Sequence, residues 1–288
     1  NNVDHCARLC HSSTVTGLAT TLGAAAMTNS IMEVMDADAI LITGSNTAEG
    51  HPVIAARIGQ AVRNGAKLIV IDPRRVPLAK DAAVFLQVKP GTNVAAINGM
   101  MNVILEEGLA DDAYIAARTE GIEELKAFVK DYSPEKVAAI CGIEAEDIRK
   151  AARISATAAK APIYYAMGVT QFTTGTDAVM SISNLALISG KLGKAGCGVN
   201  PLRGQNNVQG ACDMGCLPGD LPGYQKVADA AAVKKFSDFW GVNLSNKPGK
   251  TLLEILESIL KDEIRFLYIM GENPVLSDPD IKHLEETL

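Results

Sequence analysis

The strongest constraint in this sequence is a pair of β-rich apolar runs with one helical segment between them. Ala39-Ile40-Leu41-Ile42 runs into Thr43-Gly44-Ser45-Asn46, and Lys67-Leu68-Ile69-Val70-Ile71 runs into Asp72-Pro73-Arg74-Arg75. Between them Pro52 opens a helical pattern that stops at Asn64-Gly65, the punctuation expected of a first helical turn and of a C-terminus. Residues 39–72 therefore read as one β-α-β unit, whose crossover makes the two strands parallel and the connection right-handed. A parallel sheet needs both faces covered, so the chain must be α/β.

The same rhythm continues. A third strand is expected over 84–88, leading through Lys89-Pro90-Gly91 to Thr92, an N-cap for a helix over 93–107. Further helices are expected near 111–117, 120–131, 133–141 and 144–159, the last feeding a strand over 162–166. Met167-Gly168-Val169-Thr170-Gln171 lies at the end of that strand. This is the order of a doubly wound, mostly parallel, dinucleotide-binding-like sheet, in which ligands bind outside the carboxyl ends of the strands. The glycine-dense stretch 190–223 reads as a ligand-contacting loop, with a plain interdomain connector as the alternative, because it lets backbone approach a bound molecule closely. Beyond it come helices over 226–240 and 251–260, a strand over 264–270 and the turn Gly271-Glu272-Asn273-Pro274, which together suggest part of a second α/β domain.

Composition sets the outer limits. With 288 residues the chain has room for roughly two domains, and 48% hydrophobic with 21% charged residues is an ordinary globular balance. A net charge of −6 is the wrong sign for a nucleic-acid or anionic-lipid partner. No apolar run approaches the roughly 20 residues of a membrane span. Six cysteines in a chain that needs no disulfide staples point to a reducing, cytoplasmic setting.

Several motifs fall away on inspection. Pro248-Gly249-Lys250-Thr251 ends like a phosphate loop, but Leu244 stands where the first glycine is required, and Thr251 reads better as a helix N-cap. No G-x-G-x-x-G follows a strand, which disfavours a nicotinamide dehydrogenase. Cys6 with Cys10 and Cys212 with Cys216 form two C-x3-C pairs, an unusual spacing for zinc or an iron-sulfur cluster. Cys10-His11 differs, since a thiolate that can bind a soft or high-valent metal lies beside an imidazole that can move a proton near neutral pH.

The string around that pair, Val3-Asp4-His5-Cys6-Ala7-Arg8-Leu9-Cys10-His11-Ser12, closely resembles the catalytic stretch of molybdenum- or tungsten-dependent formate dehydrogenases. These are bis-molybdopterin guanine dinucleotide oxidoreductases. The resemblance continues through Gly44-Ser45-Asn46, Ile71-Asp72-Pro73-Arg74, Gly91-Thr92-Asn93, the stretch from Met167 to Phe172, the long block from Asn200 to Gly215, and Tyr268-Ile269-Met270-Gly271-Glu272-Asn273-Pro274, in one order over the whole chain.

By that resemblance Cys10 takes the place of the metal-ligating cysteine or selenocysteine, His11 that of the proton-handling histidine, and Arg203 that of the arginine orienting the formate carboxylate. Asn46, Glu49, Asp72, Arg74, Gly91 and Asn93 match contacts to one pterin guanine dinucleotide, although Glu49 stands where a shorter Asp is common. Gln171 and Gln205 match cofactor or active-site contacts, and Gly271, Glu272 and Asn273 would face the second pterin. The implied reaction is two-electron oxidation of formate to CO2, or its reverse, at Mo or W, with electrons passed to a further subunit or carrier.

The resemblance also has gaps. The cysteine-clustered four-iron (4Fe-4S) domain of such subunits, its relay lysine and the C-terminal pterin domain do not match anything in these residues. The expectation is therefore a central piece of a longer subunit, with residues 1–205 as the pterin-nucleotide domain and 206–288 as a partial second domain whose open sheet edge could pair with a second copy. These residues alone are expected not to turn over. A related nitrate or sulfoxide reductase, or a non-catalytic nucleotide-binding scaffold, are the competing readings.

Overall fold

The computed structural model describes residues 2–23 and 25–288. Five strands, β1 (Ala39–Thr43), β2 (Lys67–Ile71), β3 (Val84–Leu86), β4 (Ile163–Tyr165) and β5 (Val199–Pro201), form one sheet in the order β3-β2-β1-β4-β5. Every neighbouring pair is parallel, with Thr43 opposite Ile71 and Tyr165, and Ile163 opposite Val199. The order reverses between β1 and β4, which makes the turns after these two strands the place where a doubly wound sheet opens for a ligand.

All five residues of β1 are buried, as expected of a strand covered on both faces. Alternation then separates two cores. Leu41, Ile69, Ile71, Leu86, Ile163, Tyr165 and Val199 face the helices Asn93–Glu106, Ala145–Thr157 and Gly175–Ile188. Ile40, Ile42, Leu68, Val70 and Tyr164 face the helix Pro52–Arg63 and the 3-10 turn Ile31–Asp36.

The helices Ser12–Leu22 and Gly175–Ile188 and strand β5 carry no strong signal in the sequence. Gly17 lets the two helices close together, since a Cβ there would lie 2.8 Å from Val179 Cγ1. That packing places His11, the N-cap residue of the first helix, beside the end of the sheet.

The chain divides into two compact units, residues 11–204 and residues 1–10 with 205–288. Local bonds explain why the first ten residues cluster with the last eighty or so, although the expected domain 1–205 groups them with the sheet. Asp4 accepts from Arg8 Nε at 2.8 Å and from the Leu252 amide at 2.8 Å. Ala7 packs with Val208 and Cys212, and the Cys212 thiol lies 3.4 Å from His5 Nε2.

This second unit holds the helices Val208–Asp213, Ala230–Trp240 and Leu252–Leu260 and a two-stranded antiparallel ladder, β6 (Asp220–Leu221) with β7 (Gln225–Lys226). Lys226, expected in a helix, sits in that ladder. The strand expected over 264–270 is not formed: Phe266 is 81% and Met270 77% exposed, and the segment is irregular. A strand needs a neighbour for its amides and carbonyls, and the described residues of this unit offer it none. Thr251 caps its helix as read, in a reciprocal capping box with Glu254.

Candidate functional site

The unit 11–204 gathers the expected residues on the carboxyl edge of its sheet. Asn46 follows β1, Asp72 and Arg74 follow β2, Gly91 and Asn93 follow β3, Gln171 follows β4 and Arg203 follows β5. Two glycines close the centre of this edge. The Gly168 amide donates to the Gly44 carbonyl at 3.0 Å, and Asn93 Nδ2 donates to the Gly168 carbonyl at 2.9 Å. The turns after β1, β3 and β4 are thereby tied into one surface.

Asn46 precedes the short helix Thr47–Gly50, and its Oδ1 is buried with no hydrogen-bond partner among the described residues. Such an atom costs stability unless something outside the protein pairs with it. Asp72 lies at the end of β2, where acidic residues of doubly wound folds meet a nucleotide ribose. Its Oδ1 accepts from the Arg74 amide at 2.8 Å. Burial pushes the Asp72 carboxyl above its ordinary range, opposed by that amide and by the Arg74 charge. Gly91 turns with φ +81° in an exposed position, and Glu49, Arg74 and Gln171 are also exposed. An unpaired amide oxygen, a part-buried carboxylate and a cation around strand-end turns fit a nucleotide-bearing cofactor.

His11 is 1% exposed and held by both ring nitrogens. Nε2 is 3.2 Å from the Leu202 carbonyl and Nδ1 is 2.9 Å from Thr14 Oγ1. A carbonyl can only accept, so Nε2 carries the proton and Nδ1 accepts from the threonine hydroxyl. Burial foremost, and then the Arg203 charge, lower the His11 pKa to about 4, against a raising contribution from the Leu202 carbonyl. The ring is thus a neutral base at neutral pH. Arg203 donates from Nη2 to the Ala25 carbonyl at 3.2 Å, and its own carbonyl accepts from His51 Nε2 at 2.7 Å.

The remaining expected residues belong to the other unit. Cys10 closes the short helix Ala7–Cys10, is 3% exposed, and donates its amide to the Cys6 carbonyl at 3.1 Å. The Gln205 carbonyl accepts from the Val208 amide at 3.4 Å. Gly271 turns with φ +68°, Glu272 Oε1 accepts from Ser277 Oγ at 3.1 Å, and Asn273 precedes the short helix Pro274–Ser277. No cluster of three or more metal-ligating side chains occurs among the described residues, so the two C-x3-C pairs build no such cluster there.

Sequence reasoning missed Thr14 and His51. Thr14 lies three residues after His11 at helical spacing, a signal that could have been read. His51 immediately precedes Pro52 in the β1 crossover, but nothing local marks Arg203 as its partner.

Known proteins bear on this arrangement. The family model described as molybdopterin oxidoreductase matches residues 1–288. The chain is 56% identical over 288 residues to the F420-dependent formate dehydrogenase subunit alpha of Methanocaldococcus jannaschii, covering all of this chain and 42% of that protein. It is 47% identical over 282 residues to formate dehydrogenase H of Escherichia coli, covering 98% of this chain and 39% of that protein. The chain therefore spans about two fifths of the length of the curated relatives it matches. Among solved structures, the acetylene hydratase from Pelobacter acetylenicus is similar with a TM-score of 0.59 and 30% identity, over 66% of this chain and 25% of that one. One fold thus carries a hydratase as well as dehydrogenases, and the reaction has to be argued from side chains. The match from the first residue to the last, over a parallel sheet whose turns suit a nucleotide, leaves one assignment: the chain belongs to the molybdopterin oxidoreductase family.

Proposed function

We propose that these residues form the central part of a formate dehydrogenase catalytic subunit, which converts formate to CO2 or the reverse. The observation that carries the reading is the joint anchoring of His11 and Arg203. The base is held on the Leu202 carbonyl, and the next residue along the chain supplies the guanidinium.

The cofactor is read as bis-molybdopterin guanine dinucleotide with Mo or W, which when bound supplies a two-electron acceptor. Asn46, Glu49, Asp72, Arg74, Gly91 and Asn93 hold one dinucleotide, and Gln171 and Gln205 contribute further contacts. Gly271, Glu272 and Asn273 would face the second pterin, and Cys10 would provide the protein's thiolate ligand to the metal. Arg203 orients formate, since a planar fork of donors suits a carboxylate. His11 receives the proton at Nδ1 by way of the Thr14 hydroxyl, which passes its own proton to the ring as it takes up the incoming one, because Nε2–H is committed to Leu202. Thr14 fixes the ring plane for that transfer.

Oxidation of formate to CO2 releases two electrons and one proton, together one hydride equivalent. A 4Fe-4S cluster in the longer subunit would carry the electrons on to an electron-accepting partner. The setting is read as cytoplasmic; no helix among the described residues is long and apolar enough to cross a membrane.

The decisive measurement is formate-dependent dye reduction by the full-length subunit, with metal and pterin content determined in parallel. Full-length Cys10→Ala is expected to lose turnover. Normal turnover in that variant would refute the ligand role, and nitrate or sulfoxide reduction in place of formate oxidation would refute the substrate.

A further inference from the structure

Strand β5 ends in an unusual way. The Leu202 amide makes the last ladder bond, to the Tyr165 carbonyl at 2.7 Å. The next two carbonyls leave the sheet, and each is taken by an imidazole. His11 Nε2 meets the carbonyl of Leu202 at 3.2 Å, and His51 Nε2 meets that of Arg203 at 2.7 Å. Backbone acceptors that leave a sheet must find donors, and here both donors are histidines from different segments of the chain.

The backbone of His51 is itself fixed. It closes the short helix Thr47–Gly50 and precedes Pro52 at the first turn of Pro52–Arg63, which restricts its own conformation. Its amide donates to the Thr47 carbonyl at 2.9 Å, and its carbonyl accepts from the Ala55 amide at 3.0 Å. The imidazole is thus projected from a rigid corner at the end of the β1 crossover. At the side-chain end, Arg203 is anchored by Nη2 on the Ala25 carbonyl. A Cβ built on Gly204, next along the chain, would meet no atom of the described residues within 4 Å.

We infer that His51 is a positioning residue for formate: by holding the Arg203 carbonyl it sets where the guanidinium meets the substrate carboxylate. This rests on the formate reading of Arg203 above. His51 takes no part in proton transfer and touches no reacting atom. Its Nε2–H donor role requires only that this nitrogen carry a proton, which holds for the neutral Nε2–H tautomer and for the cation alike.

The test uses the full-length, metal-loaded subunit carrying His51→Gln, His51→Asn, His51→Phe, Arg203→Lys, or His51→Phe with Arg203→Lys. Glutamine reaches about as far as Nε2 and keeps a donor, whereas asparagine stops short. His51→Phe and His51→Asn are expected to raise KM for formate about tenfold, the worth of one such hydrogen bond, with kcat within about threefold of the parent. His51→Gln should restore the parental KM. Line broadening of 13C-formate without an electron acceptor should report the same loss of binding. In the Arg203→Lys background the His51→Phe change should add nothing, because the two act through one contact.

A parental KM in both His51→Phe and His51→Asn, beside a raised KM in Arg203→Lys, would overturn the positioning role alone. So would a KM defect in His51→Gln as large as in His51→Phe, or full additivity in the double variant. A parental KM in Arg203→Lys would instead remove the carboxylate role of Arg203, and the inference with it. If His51→Phe fails to load metal, the Asn and Gln pair decides.

Discussion

Gly44 and Gly168 meet backbone to backbone where the strand order reverses. A Cβ on Gly44 would lie 2.5 Å from the Gly168 carbonyl carbon, and one on Gly168 would lie 2.6 Å from the Gly44 oxygen. Gly44 also has φ +58°, a conformation that side chains resist. The junction of the β1 and β4 turns is therefore built without room for any substituent. Gly44→Ala should destabilise the protein by about 3 kcal/mol, strain and clash together, read from equilibrium urea unfolding. A loss under about 0.5 kcal/mol would mean that the turns are not in contact.

Among the described residues, Thr14 is the side chain bonded to Nδ1 of His11. Thr14→Val keeps the volume and removes the hydroxyl, leaving a buried ring nitrogen unpaired. A loss of about 1 kcal/mol is expected, with Thr14→Ser near the parent. Equal losses in both variants would point to packing instead.

Asp72 makes stability depend on pH with a definite sign. Burial raises its folded pKa, so the folded state holds the proton more tightly than the unfolded chain. The ionised carboxylate thus costs stability above the folded pKa, and that cost fades as pH falls toward the unfolded value of about 3.9. Asp72→Asn keeps an oxygen for the Arg74 amide and removes the charge. In the protein without ligand it should melt higher than the parent at pH 7, with the difference closing below about pH 4. A difference that grows on acidification would reverse the assignment.

Tyr164 is fully buried on the sheet face that carries Ile40 and Ile42, and its hydroxyl has no partner among the described residues. Burial raises its pKa, in keeping with a hydroxyl kept from water. Tyr164→Phe should be neutral or stabilising by up to about 1 kcal/mol in thermal unfolding. A clear destabilisation would reveal an ordered water bonded there.

Much of the sheet was legible in the sequence because its signals are local. The runs 39–43 and 67–71 are apolar and β-branched over their whole length, and Pro52 and Gly65 bracket the crossover. The polar turns at Asn46 and Asp72 stand just after those runs, and Gly91 follows the third strand, so the carboxyl edge of the sheet could be placed without knowing the packing. Strand β5 was missed because it has three residues in a glycine-dense stretch, and its conformation comes from pairing with β4. The run 264–270 failed in the opposite way. Its residues favour a strand, but no described neighbour pairs with it.

The sequence by itself determined the alternation of strands and helices, the identity of the chemically able residues and their order along the chain. It could not bring His11 and His51 to the consecutive carbonyls of Leu202 and Arg203, roughly 150 to 190 residues away. Hydrogen bonds of that separation leave no periodic trace, since each depends on two backbones fixed independently by their own packing. Only the tertiary structure decided which groups meet at the end of β5, and with what geometry.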